Sequence, residues 1–347
     1  QCATCSSVCK LAPEQAPFPR RQMLWAQWGL AEKLASDPGV WLCHQCNDCT
    51  VRCPRDAKPG DVMQTVRSLV VEHLAVPRFM GQAVANAKTT WPLLLGLPVL
   101  FWILLLNSVN GLTIPHEPLA YHDIVPHWLI YSVFFTVTGL VSLAICISGL
   151  RFWKFLGQST TRSGSFFRAL IPVLIEIATH KRFNSCDTSR SRKLGHLALF
   201  WGFVGAAVTS GLIIIVMYGL GTELPLALAH PVKILGNISA LLLVIGGAWL
   251  LINRLRKSDV AGTSTAFDAF FLALVLLLIA TGVLTEIGRL YFSPHLAVWF
   301  YIVHLGMVLC LFVSFPYSKF AHLLYRTLAM IHERMAGLVQ TEQAIKE

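Results

Sequence analysis

His295-Leu-Ala-Val-Trp-Phe-Tyr-Ile-Val-His304-Leu-Gly-Met-Val-Leu-Cys-Leu-Phe-Val-Ser-Phe-Pro-Tyr-Ser318 contains no Asp, Glu, Lys or Arg. At about 1.5 Å of rise per residue such a run crosses a hydrocarbon core of about 30 Å as a helix. A helix on the surface of a soluble protein would keep one polar face, and this run has none. Five similar blocks precede it, near 90–109, 127–150, 194–218, 231–252 and 267–287. In lipid the backbone must satisfy its own hydrogen bonds, so each block is expected to be a transmembrane helix.

Composition agrees. Of 347 residues, 55% are hydrophobic and 13% charged, against about 25% charged in an ordinary soluble domain. That excludes an ordinary soluble enzyme, and the hydrophobicity excludes a disordered chain. The net charge of +10 invites a nucleic-acid reading, which its distribution opposes. The segment 151–193 holds Arg151, Lys154, Arg162, Arg168, Lys181, Arg182, Arg190, Arg192 and Lys193; Arg254, Arg256 and Lys257 follow the fourth block, and Lys319, Arg326 and Arg334 follow the sixth. The opposite loops, 110–126, 219–230 and 291–294, have no Lys or Arg. The positive-inside rule then places residues 1–88, the segment 151–193 and the tail 319–347 on the cytoplasmic side of the inner membrane. The basic excess is topology and lipid contact, with no nucleic acid implied. Within 151–193, Phe166 to Ile177 is an apolar stretch interrupted by Pro172, read either as an interfacial or partner-facing helix or as a plain connector.

Seven of the ten cysteines lie in residues 1–53. Cys43, Cys46, Cys49 and Cys53, followed by Pro54, form C-x2-C-x2-C-x3-C-P, the ferredoxin-type run. Zinc sites instead pair two C-x2-C knuckles. Cys2, Cys5 and Cys9 repeat the motif without its first cysteine, which would lie upstream; the chain begins at Gln1 and is expected to lack its true N-terminus. In two-cluster proteins the fourth cysteine of each run serves the other cluster. Two 4Fe-4S clusters are therefore expected, one on Cys9, Cys43, Cys46 and Cys49, the other on Cys2, Cys5, Cys53 and the upstream cysteine. Between the runs, Arg20 to Leu34 is predicted to be a helix with an apolar stripe of Leu24, Trp25, Trp28 and Leu34, broken by Pro38-Gly39. Asp61 to Leu74 is predicted to be another, with Asp61 as its N-cap. His44 is read as a supporting or surface residue, because cysteines already fill the cluster.

A histidine inside a span is costly and points to a site. His304 and His322 are 18 residues apart, five helical turns, which puts both on one face about 27 Å apart if the helix is straight. That suits two haems stacked across a bilayer. By depth on antiparallel spans, His196 is the partner expected for His322 and His230 for His304, with His116, His122, His127 and His295 as possible replacements on the outer side. Lys233 is the one lysine on the outer side of the membrane portion, with Asn237 a turn further on; it reads either as a donor to a quinone carbonyl or as a residue snorkelling to lipid. Glu286 reads either as a proton carrier or as a partner of Arg289.

These residues together resemble the family of C subunits of the quinone-interacting membrane-bound oxidoreductase (Qmo) complexes, a fusion similar to the C and E subunits of heterodisulfide reductase. The resemblance rests on both cysteine runs, on His196-Leu-Ala-Leu-Phe-Trp-Gly-Phe203, on His230-Pro-Val-Lys-Ile-Leu-Gly-Asn237 and on His304 with His322. It implies an all-α protein: a helical ferredoxin domain (1–88) followed by a six-span cytochrome b bundle (89–318) similar to the gamma subunit of respiratory nitrate reductases. There one helix supplies two haem histidines; here the place for the second, ten residues after His196, is Ala206. The resemblance further implies b-type haems, menaquinol as donor, flavin- and iron-sulfur-bearing partner subunits, and adenylylsulfate reductase as eventual acceptor. The same wiring run backwards would reduce quinone from a cytoplasmic thiol/disulfide enzyme.

Overall fold

The computed structural model describes residues 2–114, 120–187, 190–256, 262–263 and 265–338. His116 and Lys257 fall outside these. The chain is all-helical, with no strand among the described residues. Seven helices make the N-terminal part: α1 Thr4–Ser7, α2 Arg20–Gln27, α3 Ala31–Ser36, α4 Gly39–Leu42, α5 Asp48–Val51, α6 Pro59–Leu74 and α7 Arg78–Ala85. Then come α8 Ala87–Asn110, the short α9 Tyr121–Ile124, α10 His127–Ser159, α11 Phe166–Thr179, a 3-10 turn Lys181–Ser185, α12 Arg190–Gly219, α13 Pro231–Leu255, α14 Ala266–Tyr291, α15 Pro294–Ser314 and α16 Ala321–Met335. Six candidate spans are long and apolar enough to cross a membrane, the sixth running from α15 into α16.

Four expectations need correction. The helix predicted over Arg20–Leu34 is two helices, because Gly29 takes a left-handed φ of 67° between them and leaves Trp28 63% exposed, out of the stripe. The helix predicted from Asp61 starts two residues earlier, with Lys58 at the cap and Pro59 in the first turn, where its missing N–H costs nothing; the Asp61 carboxylate instead accepts from the Thr263 amide at 3.1 Å. Pro172 does not interrupt α11, which is continuous. The sixth block is not one straight helix out to His322: it stops at Ser314, turns through Phe315–Tyr317 around Pro316, and resumes as α16. The five-turn phase argument for His304 and His322 fails there.

Two packing features position the cysteine-rich part and the histidines. First, α12 and α13 form a close hairpin whose approach needs glycine: a Cβ on Gly202 would meet Leu243 at 2.8 Å, and one on Gly246 would meet Leu199 at 2.6 Å. Second, one core is shared between segments far apart in the chain. Trp41 of α4, Phe152 near the end of α10 and Tyr325 of α16 are nearly fully buried against one another, with Trp41–Tyr325 and Phe152–Tyr325 ring centroids 4.9 and 5.1 Å apart. Burying rings of this size is worth several kcal/mol, at ~1.5–3 kcal/mol per large apolar side chain. The cysteine-rich part is thus anchored to the ends of α10 and α16, beside His322.

Candidate functional site

The two cysteine runs adopt one local design. Cys2 is followed by Ala3 at φ 65°, ψ 0°, and Cys46 by Asn47 at φ 68°, ψ 9°; each left-handed residue opens a four-residue helix, α1 and α5, that carries the next cysteine of its run. These two helices pack on each other. Cys9, Cys43, Cys46 and Cys49 line one cavity. Burial there, with the Cys43 thiol alongside, pushes Cys9 up to about 12, and burial with the same neighbours raises Cys49. Cys5 is also raised by burial and has Cys53 near it, while Cys2 is exposed. Thiols so disposed stay protonated until a metal replaces the proton, and four around one enclosed cavity suit an iron-sulfur cluster. The cavity has a fifth cysteine, Cys186, just before α12, which lies outside both runs. Its spacing to them carries no signal.

Beneath this lies a cavity of about 280 Å³ between the cysteine-rich part and the membrane helices, lined by His44, His180, His196 and His322. Trp41, Phe200, Phe267 and Phe271 give it apolar walls, and Arg67, Arg192, Lys319 and Arg326 ring it with positive charge. The His196 and His322 ring centroids are 6.2 Å apart. Nδ1 of His196 is bonded to His180 Nε2 at 2.7 Å, and Nδ1 of His322 to the Lys319 carbonyl, so Nε2 is the ring nitrogen left over on each. Metal-binding histidines are oriented in this way. His180 is a second residue that the sequence does not disclose; it sits left-handed (φ 54°) at the C-cap of α11. His44 is half-buried, edge-on to Phe183 with both ring nitrogens enclosed, and burial followed by the Arg326 charge holds it well below the usual histidine range.

Arginines join the two cavities. Arg67 donates to the carbonyls of Val40 (2.8 Å) and Cys43, Arg326 to those of Leu42 and Cys43 (both 3.4 Å), and Arg192 to that of Gln45 (2.9 Å). Lys319 pairs with Asp268 at 2.6 Å, and Gln64 bonds the same carboxylate.

The opposite end of the helix bundle is arranged differently. His230 caps its own helix, Nδ1 accepting from the Val232 amide at 3.2 Å. His304 meets the Thr281 hydroxyl at 3.1 Å and lies against Gly282, where a Cβ would come within 2.9 Å of its ring. Among the described residues no ring contact joins His230 to His304. His122 stacks on His127 at 5.5 Å, and His295 is exposed. Lys233 pairs with Glu286 at 2.7 Å, and Glu286 also reaches Arg289 at 3.4 Å, while Asn237 is exposed.

A multi-thiol cavity in a chain with six helices long and apolar enough to cross a membrane suits a membrane-associated electron-transfer protein of the iron-sulfur class, and comparison with known proteins agrees. Residues 1–57 match the 4Fe-4S dicluster domain. Residues 82–343 match the family described as citrate utilization protein B, and the chain belongs to that family. The citrate utilization protein B of Escherichia coli is 28% identical over 313 residues, 84% of this chain and 80% of that protein. The N-terminal part is 38% identical over 77 residues to a protein of Archaeoglobus profundus described as like the C subunit of heterodisulfide reductase, 22% of this chain and 41% of that protein. It is also 38% identical over 69 residues to the C subunit of an H2:CoB-CoM heterodisulfide, ferredoxin reductase from Methanothermobacter thermautotrophicus, 20% of this chain and 37% of that protein. No solved structure matches. The cysteine runs already point to the likeness with the heterodisulfide reductase C subunit; the family of the membrane half is one that the motifs alone do not name.

Proposed function

We propose that the chain exchanges electrons between a quinone in the membrane and a cytoplasmic redox partner, through two 4Fe-4S clusters and a b-type haem held by His196 and His322. The observation that carries the haem reading is the spacing of these two rings. The rings stand 6.2 Å apart on one cavity, from where both could hold a metal-centred group between them. The apolar walls suit a macrocycle, and the basic rim suits its carboxylates. A haem bound there would supply a one-electron couple. His180 and the Lys319 carbonyl fix the two rings, while Arg67 and Arg326 tie the cavity to the backbone of the Cys43 loop. The clusters are assigned as the sequence suggests, Cys9 with Cys43, Cys46 and Cys49, and Cys5 with Cys2 and Cys53; the neighbours of Cys9 and Cys5 support this crossing. The basic segments face the cytoplasm.

Two directions of flow are compatible with the same wiring. The Qmo-like reading runs from menaquinol through flavin-bearing subunits to adenylylsulfate reductase. The match to the citrate utilization family covers the membrane half of this wiring, and a family named for the use of citrate favours the reverse, a cytoplasmic donor reducing quinone. The test is a reduced-minus-oxidised visible spectrum of the purified full-length protein, with iron and haem counted per chain. Low-spin b-type bands that disappear in His322→Ala are expected. A protein with iron but no haem bands would overturn the haem assignment and leave the clusters standing.

A further inference from the structure

We infer that Cys186 is an alternate ligand for the cluster cavity, placed to take the corner assigned to Cys46. The Cys46 and Cys186 sulfurs and an Asp48 carboxylate oxygen lie within 4.8 Å of one another. Cys186 is buried to 1% exposure and lines the same cavity as Cys9, Cys43, Cys46 and Cys49. Its position is held by both cysteine runs at once. The next residue, Asp187, pairs with Lys10 at 2.9 Å, beside Cys9, and with Arg52 at 3.1 Å, beside Cys53, and its amide donates to the Asp48 carboxylate at 3.1 Å. A segment far along the chain is therefore pinned so that its one cysteine faces the iron-binding cavity.

The chemistry is ligand exchange and needs no oxidant. Cys186 would give up its proton on taking the place of Cys46 at an iron, and the released Cys46 thiolate would take that proton up. Asp48 is within reach of both sulfurs to carry that proton. Nothing is oxidised or reduced, and the cluster keeps four thiolates throughout.

This rests on the assignment of a cluster to Cys9, Cys43, Cys46 and Cys49, and the test separates the two. Iron and acid-labile sulfide are counted per chain in the full-length protein, purified without oxygen, as wild type, Cys49→Ala, Cys46→Ala, Cys186→Ala and Cys46→Ala/Cys186→Ala. Cys49→Ala should lose one cluster's iron, half the total. Cys46→Ala and Cys186→Ala should each keep the wild-type count, and the double variant should fall to the level of Cys49→Ala. Asp187→Ala combined with Cys46→Ala keeps every other thiol and should lose the same iron, since Cys186 is no longer held. If Cys46→Ala alone falls as far as Cys49→Ala, or the double variant keeps its iron, Cys186 is not an alternate ligand. If Cys49→Ala keeps all its iron, the cluster assignment itself is wrong.

Discussion

The two ends of the membrane bundle hold similar residues and use them in opposite ways. At the end nearer the cysteine-rich part His196 of α12, His322 of α16 and His180 just after α11 meet around one cavity. At the opposite end the groups stay apart: His230 bonds the amide two residues along, His304 a threonine of the neighbouring helix, and Lys233 pairs with Glu286. Rings that converge on one cavity can share a ligand. Rings that bond locally, with no ring contact between them among the described residues, are not brought together by this packing. Matching histidines by depth alone cannot tell these cases apart.

The most direct way to break this contrast is to remove one histidine from each end. His196→Ala and His322→Ala should each abolish the low-spin haem at the cavity they line. His230→Ala should leave the spectrum unchanged. A second haem lost with His230 would show that the opposite end is a ligand site after all. His180→Ala should give a smaller effect, a haem retained but bound about 10–100-fold more weakly, as when a supporting partner of a metal histidine is lost. Titration of the apoprotein with haem measures it; an unchanged affinity, with an unchanged potential, would make the His180–His196 bond incidental.

Much of this is legible in the chain. Spans read from hydrophobic blocks and from charge asymmetry agree with six long apolar helices, because in lipid composition and length are nearly the whole constraint. The cysteine runs are legible because ligand spacing is local. His180 and Cys186 are not, since nothing near them in sequence marks a site; they reach it through the turn after α11, which only tertiary packing places. The helical phase of His322 misleads because Pro316 ends α15, yet depth alone finds its neighbour His196. The two rings do lie side by side, although the straight-helix geometry behind the expectation does not hold.

The end nearer the cysteine-rich part is also clamped by charge. Glu176 of α11 pairs with Arg182 and with Arg334 (3.0 Å), and Arg182 reaches Glu333 at 2.5 Å, holding α11 and the turn after it onto α16. Burial opposes ionisation of Glu176, but the charge and hydrogen bond of Arg182, with help from Arg334, hold its carboxyl below the ordinary 4.5. A depressed carboxylate contributes stability that is complete above the unfolded value and is lost as pH falls through the folded one. Acidification below about 4.5 should therefore loosen the His180 turn, followed by tryptophan fluorescence from Trp153, and Glu176→Gln should flatten that dependence. An equally steep acid transition in the variant would place the sensitivity elsewhere.

The smallest effect is expected at Lys233. A free ammonium beside a quinone carbonyl would stabilise negative charge on oxygen and matter greatly. Here the ammonium already faces Glu286 at 2.7 Å, and that carboxylate also meets Arg289. A quinone oxygen would have to displace a charged acceptor to gain a neutral one, which is a poor exchange for a lysine. The pair is partly exposed, and pairs of that kind contribute about 0–1 kcal/mol to stability. Lys233→Ala should thus lower the melting temperature little and change quinone-dependent haem redox rates by less than about twofold, an energy below RT. A tenfold slower rate with an intact haem spectrum would reverse the reading of that end of the bundle: Lys233 would then be a quinone donor held in reserve by Glu286, and Glu286→Gln, by freeing it, should speed the reaction.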